Sequence, residues 1–108
     1  MRREISVREL EARLQAGQPT YLLDVRQPWE AEIAALPRSV LIPLGQLPSR
    51  LDELDPPEDA LVVVYCHHGI RSLTGAAILA GAGVAEAVSL AGGIEEWSRA
   101  IDPEVPRY

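Results

Sequence analysis

At 108 residues, with 47% hydrophobic and 24% charged side chains, the chain has the size and composition of one globular domain, residues 1–108, able to bury a core without disulfide or metal staples. A formal net charge of -6 sets its field against phosphate backbones and anionic lipid, so neither nucleic acid nor a membrane is an expected partner. A single cysteine excludes an internal disulfide, and the longest strongly apolar run, Leu61 to Tyr65, falls far short of the roughly 20 residues of a membrane helix.

The opening Met1-Arg2-Arg3-Glu4 runs into a charge-alternating segment without the apolar core of an export signal, which makes the cytoplasm the expected compartment. Ser6-Val7-Arg8-Glu9 has the form of a capping box, and Leu10 and Leu14 recur at helical spacing until Gly17 and Pro19 stop the pattern. Tyr21 to Val25 is a short apolar run closed by Arg26-Gln27-Pro28, the pattern of a buried strand that ends in a loop. A helical turn is expected from Glu30 to Ile33, broken by Pro37. A second short strand follows at Val40-Leu41-Ile42, and Leu47, Leu51 and Leu54 recur at helical spacing before Asp55-Pro56-Pro57.

Leu61 to Tyr65 is continuous and rich in β-branched residues, as in a central strand covered on both faces. Leu73 to Ala80, apolar almost all round, reads as a buried helix ending near Gly81 or Gly83. Val88-Ser89-Leu90 reads as the last strand, and Ile94 to Ala100 as a helix with Trp97 on its inner face. Alternation of helices with strands that lack period-two polarity predicts an α/β domain with a largely parallel sheet.

Between the central strand and its helix lies Cys66-His67-His68-Gly69-Ile70-Arg71-Ser72. A cysteine after an apolar strand is ordinarily a small buried hydrophobe. Here the strand ends in the thiol, a short glycine-containing loop follows, and a helix opens with Arg-Ser. That order sets the sulfur over backbone N–H groups at the positive end of a helix, with the Arg71 guanidinium adding charge at the loop's far side. Such a place stabilises an anion and makes the thiol a nucleophile, and Gly69 is the residue suited to the positive φ that curls the loop around the sulfur. His67 and His68 invite a metal reading. The chain has no second cysteine and no further histidine to complete four ligands, so no metal is expected, and both read as loop residues contributing backbone N–H groups.

Four motifs together resemble the rhodanese family over nearly the whole chain: Asp24-Val25-Arg26 with Pro28-Trp29-Glu30, Ile42-Pro43, the Cys66 to Ser72 loop, and Leu90-Ala91-Gly92-Gly93-Ile94 with Trp97. The resemblance implies a three-layer fold with a central parallel sheet flanked by helices on both faces. It also implies a sulfurtransferase in which Cys66 takes sulfur from thiosulfate or a persulfide donor and passes it to a thiol or cyanide acceptor, with no cofactor. His67, His68, Gly69, Ile70, Arg71 and Ser72 then form the substrate-binding loop, and Asp24 and Arg26 orient that loop and adjust its charge.

The loop spacing is Cys-x4-Arg, narrower than the Cys-x5-Arg of the related cell-cycle phosphatases, and a narrower ring suits a terminal sulfur better than a phosphoryl group. Between Glu30 and Val40 the chain departs from the family, with Ala34-Ala35-Leu36-Pro37-Arg38-Ser39 where many members carry Gly-His-Ile-Pro-Gly-Ala. Asp102 to Tyr108 is similar to the tail of rhodanese domains fused to adenylylating enzymes, which suggests a sulfur-delivery protein as a further partner. The alternative is a non-enzymatic module in which the loop docks a protein or Cys66 senses persulfide or oxidants.

Overall fold

In the computed structural model, which describes residues 2–84 and 86–108, five strands form one parallel sheet. In chain order the elements are β1 (Glu4–Ile5), α1 (Val7–Gln15), β2 (Thr20–Asp24), α2 (Pro28–Ile33), β3 (Val40–Leu41), 3-10 turns at Leu44–Ser49 and Leu51–Glu53, β4 (Leu61–Tyr65), α3 (Ile70–Gly81), β5 (Ala87–Leu90) and α4 (Gly93–Ala100). The sheet order is β1-β5-β4-β2-β3, so β4 lies at the centre and its five residues are all buried, as its unbroken apolar run requires.

Successive side chains of β4 point to opposite faces and seed two cores. Val63 and Tyr65 join Leu10, Leu22, Leu90, Ile94 and Trp97 on one face, while Val62, Val64 and Cys66 join Leu23, Val25, Ile42, Leu47 and Leu79 on the other. Helices cover both faces, which is the three-layer α/β architecture expected. The capping box of α1 forms in both directions: Glu9 N–H donates to Ser6 Oγ at 3.1 Å, and Ser6 N–H donates to the Glu9 carboxylate at 3.3 Å.

Several elements differ from the reading above. The segment with Leu47 and Leu51 makes two 3-10 turns instead of a regular helix, because Pro48 supplies no N–H for an α ladder. Strand β1 has two residues, too few for any periodicity to show, yet it pairs in parallel with β5 and buries Ile5. Helix α3 begins at Ile70, one residue before the expected Arg71-Ser72 opening and three before the apolar run at Leu73, and it buries a single face through Ser72, Gly75, Ala76 and Leu79. Where the chain departs from the family, the turn closes with Arg38 at φ 62°, the one left-handed residue other than glycine among those described.

Candidate active site

β2, β4 and β5 run in parallel, and their C-terminal ends open on one edge of the sheet, where ligands of open parallel sheets bind. Cys66 leaves the end of β4 with its side chain on the α3 face and only 1% of its surface exposed. Gly69 takes φ 98° and turns the chain back over the sulfur, where its N–H donates to Cys66 Sγ at 3.1 Å and that of Ser72 donates at 3.4 Å. A β-carbon at Gly69 would press on the Gly92 nitrogen and the Leu90 carbonyl, so glycine is required there by space as well as by φ.

Below the sulfur runs a short chain of buried hydroxyls. The Cys66 thiol donates to Ser72 Oγ at 3.4 Å, Ser72 Oγ lies 2.6 Å from Ser89 Oγ, and Ser89 donates to the Gly69 carbonyl at 3.4 Å. Once the thiol loses its proton, the Ser72 hydroxyl can turn its hydrogen to the sulfur as a third donor.

The loop's outer side is held by α4. Ile94 N–H donates to the Cys66 carbonyl at 2.9 Å and Glu95 N–H to the His67 carbonyl at 3.1 Å. With those carbonyls engaged outward, the Gly69 and Ser72 N–H groups face the sulfur, and those expected of His67 and His68 are not among the bonds made to it. The two chains approach so closely that a β-carbon at Gly93, itself at φ 62°, would collide with both carbonyls. The closing Gly92-Gly93 pair is therefore part of the cradle.

Arg71, expected to add charge at the loop's far side, does not stand alone. Its guanidinium is gripped on both arms by Glu30, at 2.7 and 2.9 Å. Glu30 also accepts from Gln27 N–H at 3.0 Å and from the Tyr108 hydroxyl at 2.7 Å. With the Arg71 bond foremost, these donors outweigh the cost of burial and draw the Glu30 carboxyl down to about 2.

Asp24 and Arg26 pair with each other, wholly out of solvent, through Arg26 Nε at 2.8 Å and Nη2 at 2.7 Å. Arg26 also donates to the Ala34 carbonyl and, at 2.9 Å, to Tyr108 Oη, and its 0% exposure leaves it no opening to an anion in solution. Burial opposes its charge, but Asp24 and Tyr108 outweigh burial and keep the guanidinium protonated. The pair reaches the active loop through Tyr108, Glu30 and Arg71, and the Arg26 guanidinium also lies 5.3 Å from the ring centre of Tyr65, the residue before Cys66.

The Tyr108 ring stacks on His67 at 3.9 Å and 8°, and His68 lies against the other side of His67. Burial, His68 and Arg71 lower the His67 pKa against the opposing pull of Glu30 and Glu95, so its imidazole is neutral at neutral pH. On the rim, Trp29 and Ile70 stand 58% and 76% exposed.

A family model described as the rhodanese-like domain matches residues 6–100. The chain belongs to the rhodanese-like family. It is 38% identical over 95 residues to an adenylyltransferase and sulfurtransferase of Ogataea parapolymorpha, covering 88% of this chain and 24% of that protein. It is 34% identical over 96 residues to a sulfurtransferase of Allochromatium vinosum, covering 89% and 88%. The human single-domain sulfurtransferase has the same fold, with a TM-score of 0.78 and 28% identity over 90% of this chain and 96% of that one. The chain spans about a quarter of the length of the adenylyltransferase and sulfurtransferase proteins it matches. Among the described residues no helix is long and apolar enough to cross a membrane.

Three members of this rhodanese site carried no assigned role in the sequence reading. Glu30 stood there only as part of a motif, since its partner Arg71 is 41 residues away and Tyr108 is 78 away. Tyr108 lies beyond the span of the family model. Ser89 had a local signal, a hydroxyl inside the otherwise apolar strand Ala87–Leu90.

Proposed function

We propose that this rhodanese-like chain, acting as one domain, is a sulfurtransferase that carries sulfane sulfur as a persulfide on Cys66. The observation that carries the reading is the ring around the sulfur: two backbone N–H groups aimed at the single thiol from the start of α3, with the Ser72 hydroxyl beside them. Fixed donors of this kind stabilise a thiolate before it reacts and again when an acceptor removes the outer sulfur. In the first half-reaction the Cys66 thiolate attacks the outer sulfur of the donor and releases sulfite from thiosulfate or a thiolate from a persulfide. In the second, a thiol or cyanide attacks the outer sulfur of the Cys66 persulfide and frees the thiolate, which gives ping-pong kinetics.

His67, His68, Gly69 and Ile70 shape the loop, Arg71 closes its far side, and Asp24 and Arg26 brace it through Tyr108 and Glu30. Similarity to the adenylyltransferase and sulfurtransferase proteins supports a sulfur-delivery protein as a further partner. The test is turnover. Wild-type protein is expected to convert a sulfur donor and cyanide to thiocyanate, and Cys66→Ser to form none. A Cys66→Ser protein that retained turnover would overturn the assignment, and a wild type inert to both thiosulfate and glutathione persulfide would favour the sensing or docking module.

A further inference from the structure

Among the described residues, the arginines around the cradle are each held by a carboxylate. Arg71 is held on both arms by Glu30, Arg26 by Asp24, and Arg107 pairs with Glu95 beside His67. The His67 imidazole is neutral, and His68 is the remaining basic side chain of the loop. The bond between Glu30 and Arg71 is reinforced from the side by Tyr108, whose hydroxyl donates to the second carboxylate oxygen while accepting from Arg26.

From this geometry we infer that Glu30 and Tyr108 set the donor class: by keeping Arg71 in a two-armed ion pair they leave the mouth of the cradle without an uncommitted guanidinium, so the site takes sulfur from a persulfide in preference to the dianion thiosulfate. The inference rests on the persulfide reading of Cys66 given above and goes beyond it.

The two half-reactions place different demands on charge. With a persulfide, Cys66–S⁻ + RS–SH gives Cys66–S–SH + RS⁻: one S–S bond forms, one breaks, and the thiolate meets a neutral or singly charged donor. With thiosulfate, Cys66–S⁻ + S–SO₃²⁻ gives Cys66–S–S⁻ + SO₃²⁻. A thiolate must then approach a dianion and release another, which calls for a nearby cation that is free to follow the charge. Arg71 can do so only by leaving Glu30. Glu30 and Tyr108 are thus positioning residues acting through Arg71.

The experiment compares initial rates of Cys66 loading by glutathione persulfide and by sodium thiosulfate in the wild type, Glu30→Gln and Tyr108→Phe. Wild type is expected to load from glutathione persulfide with at least about tenfold higher kcat/KM than from thiosulfate. Glu30→Gln, which frees Arg71, should narrow that ratio about tenfold, chiefly through a lower KM for thiosulfate, and Tyr108→Phe should move it the same way by a smaller factor. Should Glu30→Gln not fold, Tyr108→Phe carries the test.

Equal use of both donors by the wild type overturns the inference, and so does an equal loss of both rates in the variants, which would make Glu30 and Tyr108 structural only. In either case Cys66 still loads and the sulfurtransferase reading stands. Failure of both donors to load the wild type removes that reading and this inference together.

Discussion

Gly93 shows how little freedom the site allows at single positions. Its backbone lies against the Cys66 and His67 carbonyls, and the neighbouring N–H groups of Ile94 and Glu95 bond to those same oxygens. A methyl group there meets backbone atoms of Cys66 and His67, which cannot swing aside as the end of a flexible side chain could. Gly93→Ala is therefore expected to cost about 2–4 kcal/mol, the range for overpacking combined with a strained positive φ. It should also slow thiol alkylation or persulfide loading, because the loop must shift for the methyl to fit. Urea denaturation together with a loading rate checks both effects, and a Gly93→Ala protein with wild-type values would contradict the clamp. Arg38 is the opposite case, a side chain where glycine fits better: Arg38→Gly should raise stability by about 0.5–1 kcal/mol by removing left-handed strain, and a loss in the same denaturation experiment would refute this.

At the scale of elements, what could be read from the chain depended on how local the cause was. Strand β4 was legible because a buried parallel strand needs an unbroken apolar run, and α1 because both halves of its cap lie within four residues. Ser6→Ala should accordingly cost about 1 kcal/mol in a thermal melt while leaving Cys66 loading unchanged, since this cap serves the opposite core; a change in loading would show coupling between the faces.

The start of α3 was legible to within one residue from the Arg71-Ser72 opening after the loop, but not from apolar periodicity. Ile70 is exposed and Arg71 belongs to an ion pair, so neither contributes to an apolar periodicity, and the start is set by Gly69 turning over the sulfur. The 3-10 turns were hidden: leucines at helical spacing outweighed a proline whose effect is to remove one donor. The donors that face the sulfur lie within seven consecutive residues and could be anticipated, whereas the Gly92-Gly93 clamp comes from a distant segment and the pairing of Arg71 with Glu30 joins α3 to α2, leaving no local trace.

For the molecule as a whole, the Asp24, Arg26, Tyr108, Glu30 and Arg71 network ties the exits of β2 and β4 to the segment that follows α4. Its strength should depend on pH. The folded-state pKa of Glu30, about 2, lies below its ordinary value of 4.5, so its contribution to stability is complete above about 4.5 and is lost as pH falls toward 2. Arg71 is partly open to water, so the contribution is on the order of 2 kcal/mol. Glu30→Gln should thus be less stable than wild type at pH 7 by about that amount, with the gap closing between pH 4.5 and 2. A gap that stayed constant across that window would show that the carboxylate's charge is not what the network uses.

The central claim is that the sulfur held by Gly69 and Ser72 is a carrier, and the most direct test is the intact mass of the protein after exposure to glutathione persulfide and removal of excess donor, before any acceptor is added. The wild type is predicted to gain the mass of one sulfur atom, located on Cys66 by fragmentation, and to lose it on addition of cyanide or a thiol, while Cys66→Ser gains none. A wild-type protein whose mass does not change, or whose added sulfur stays in place when the acceptor arrives, would contradict the claim.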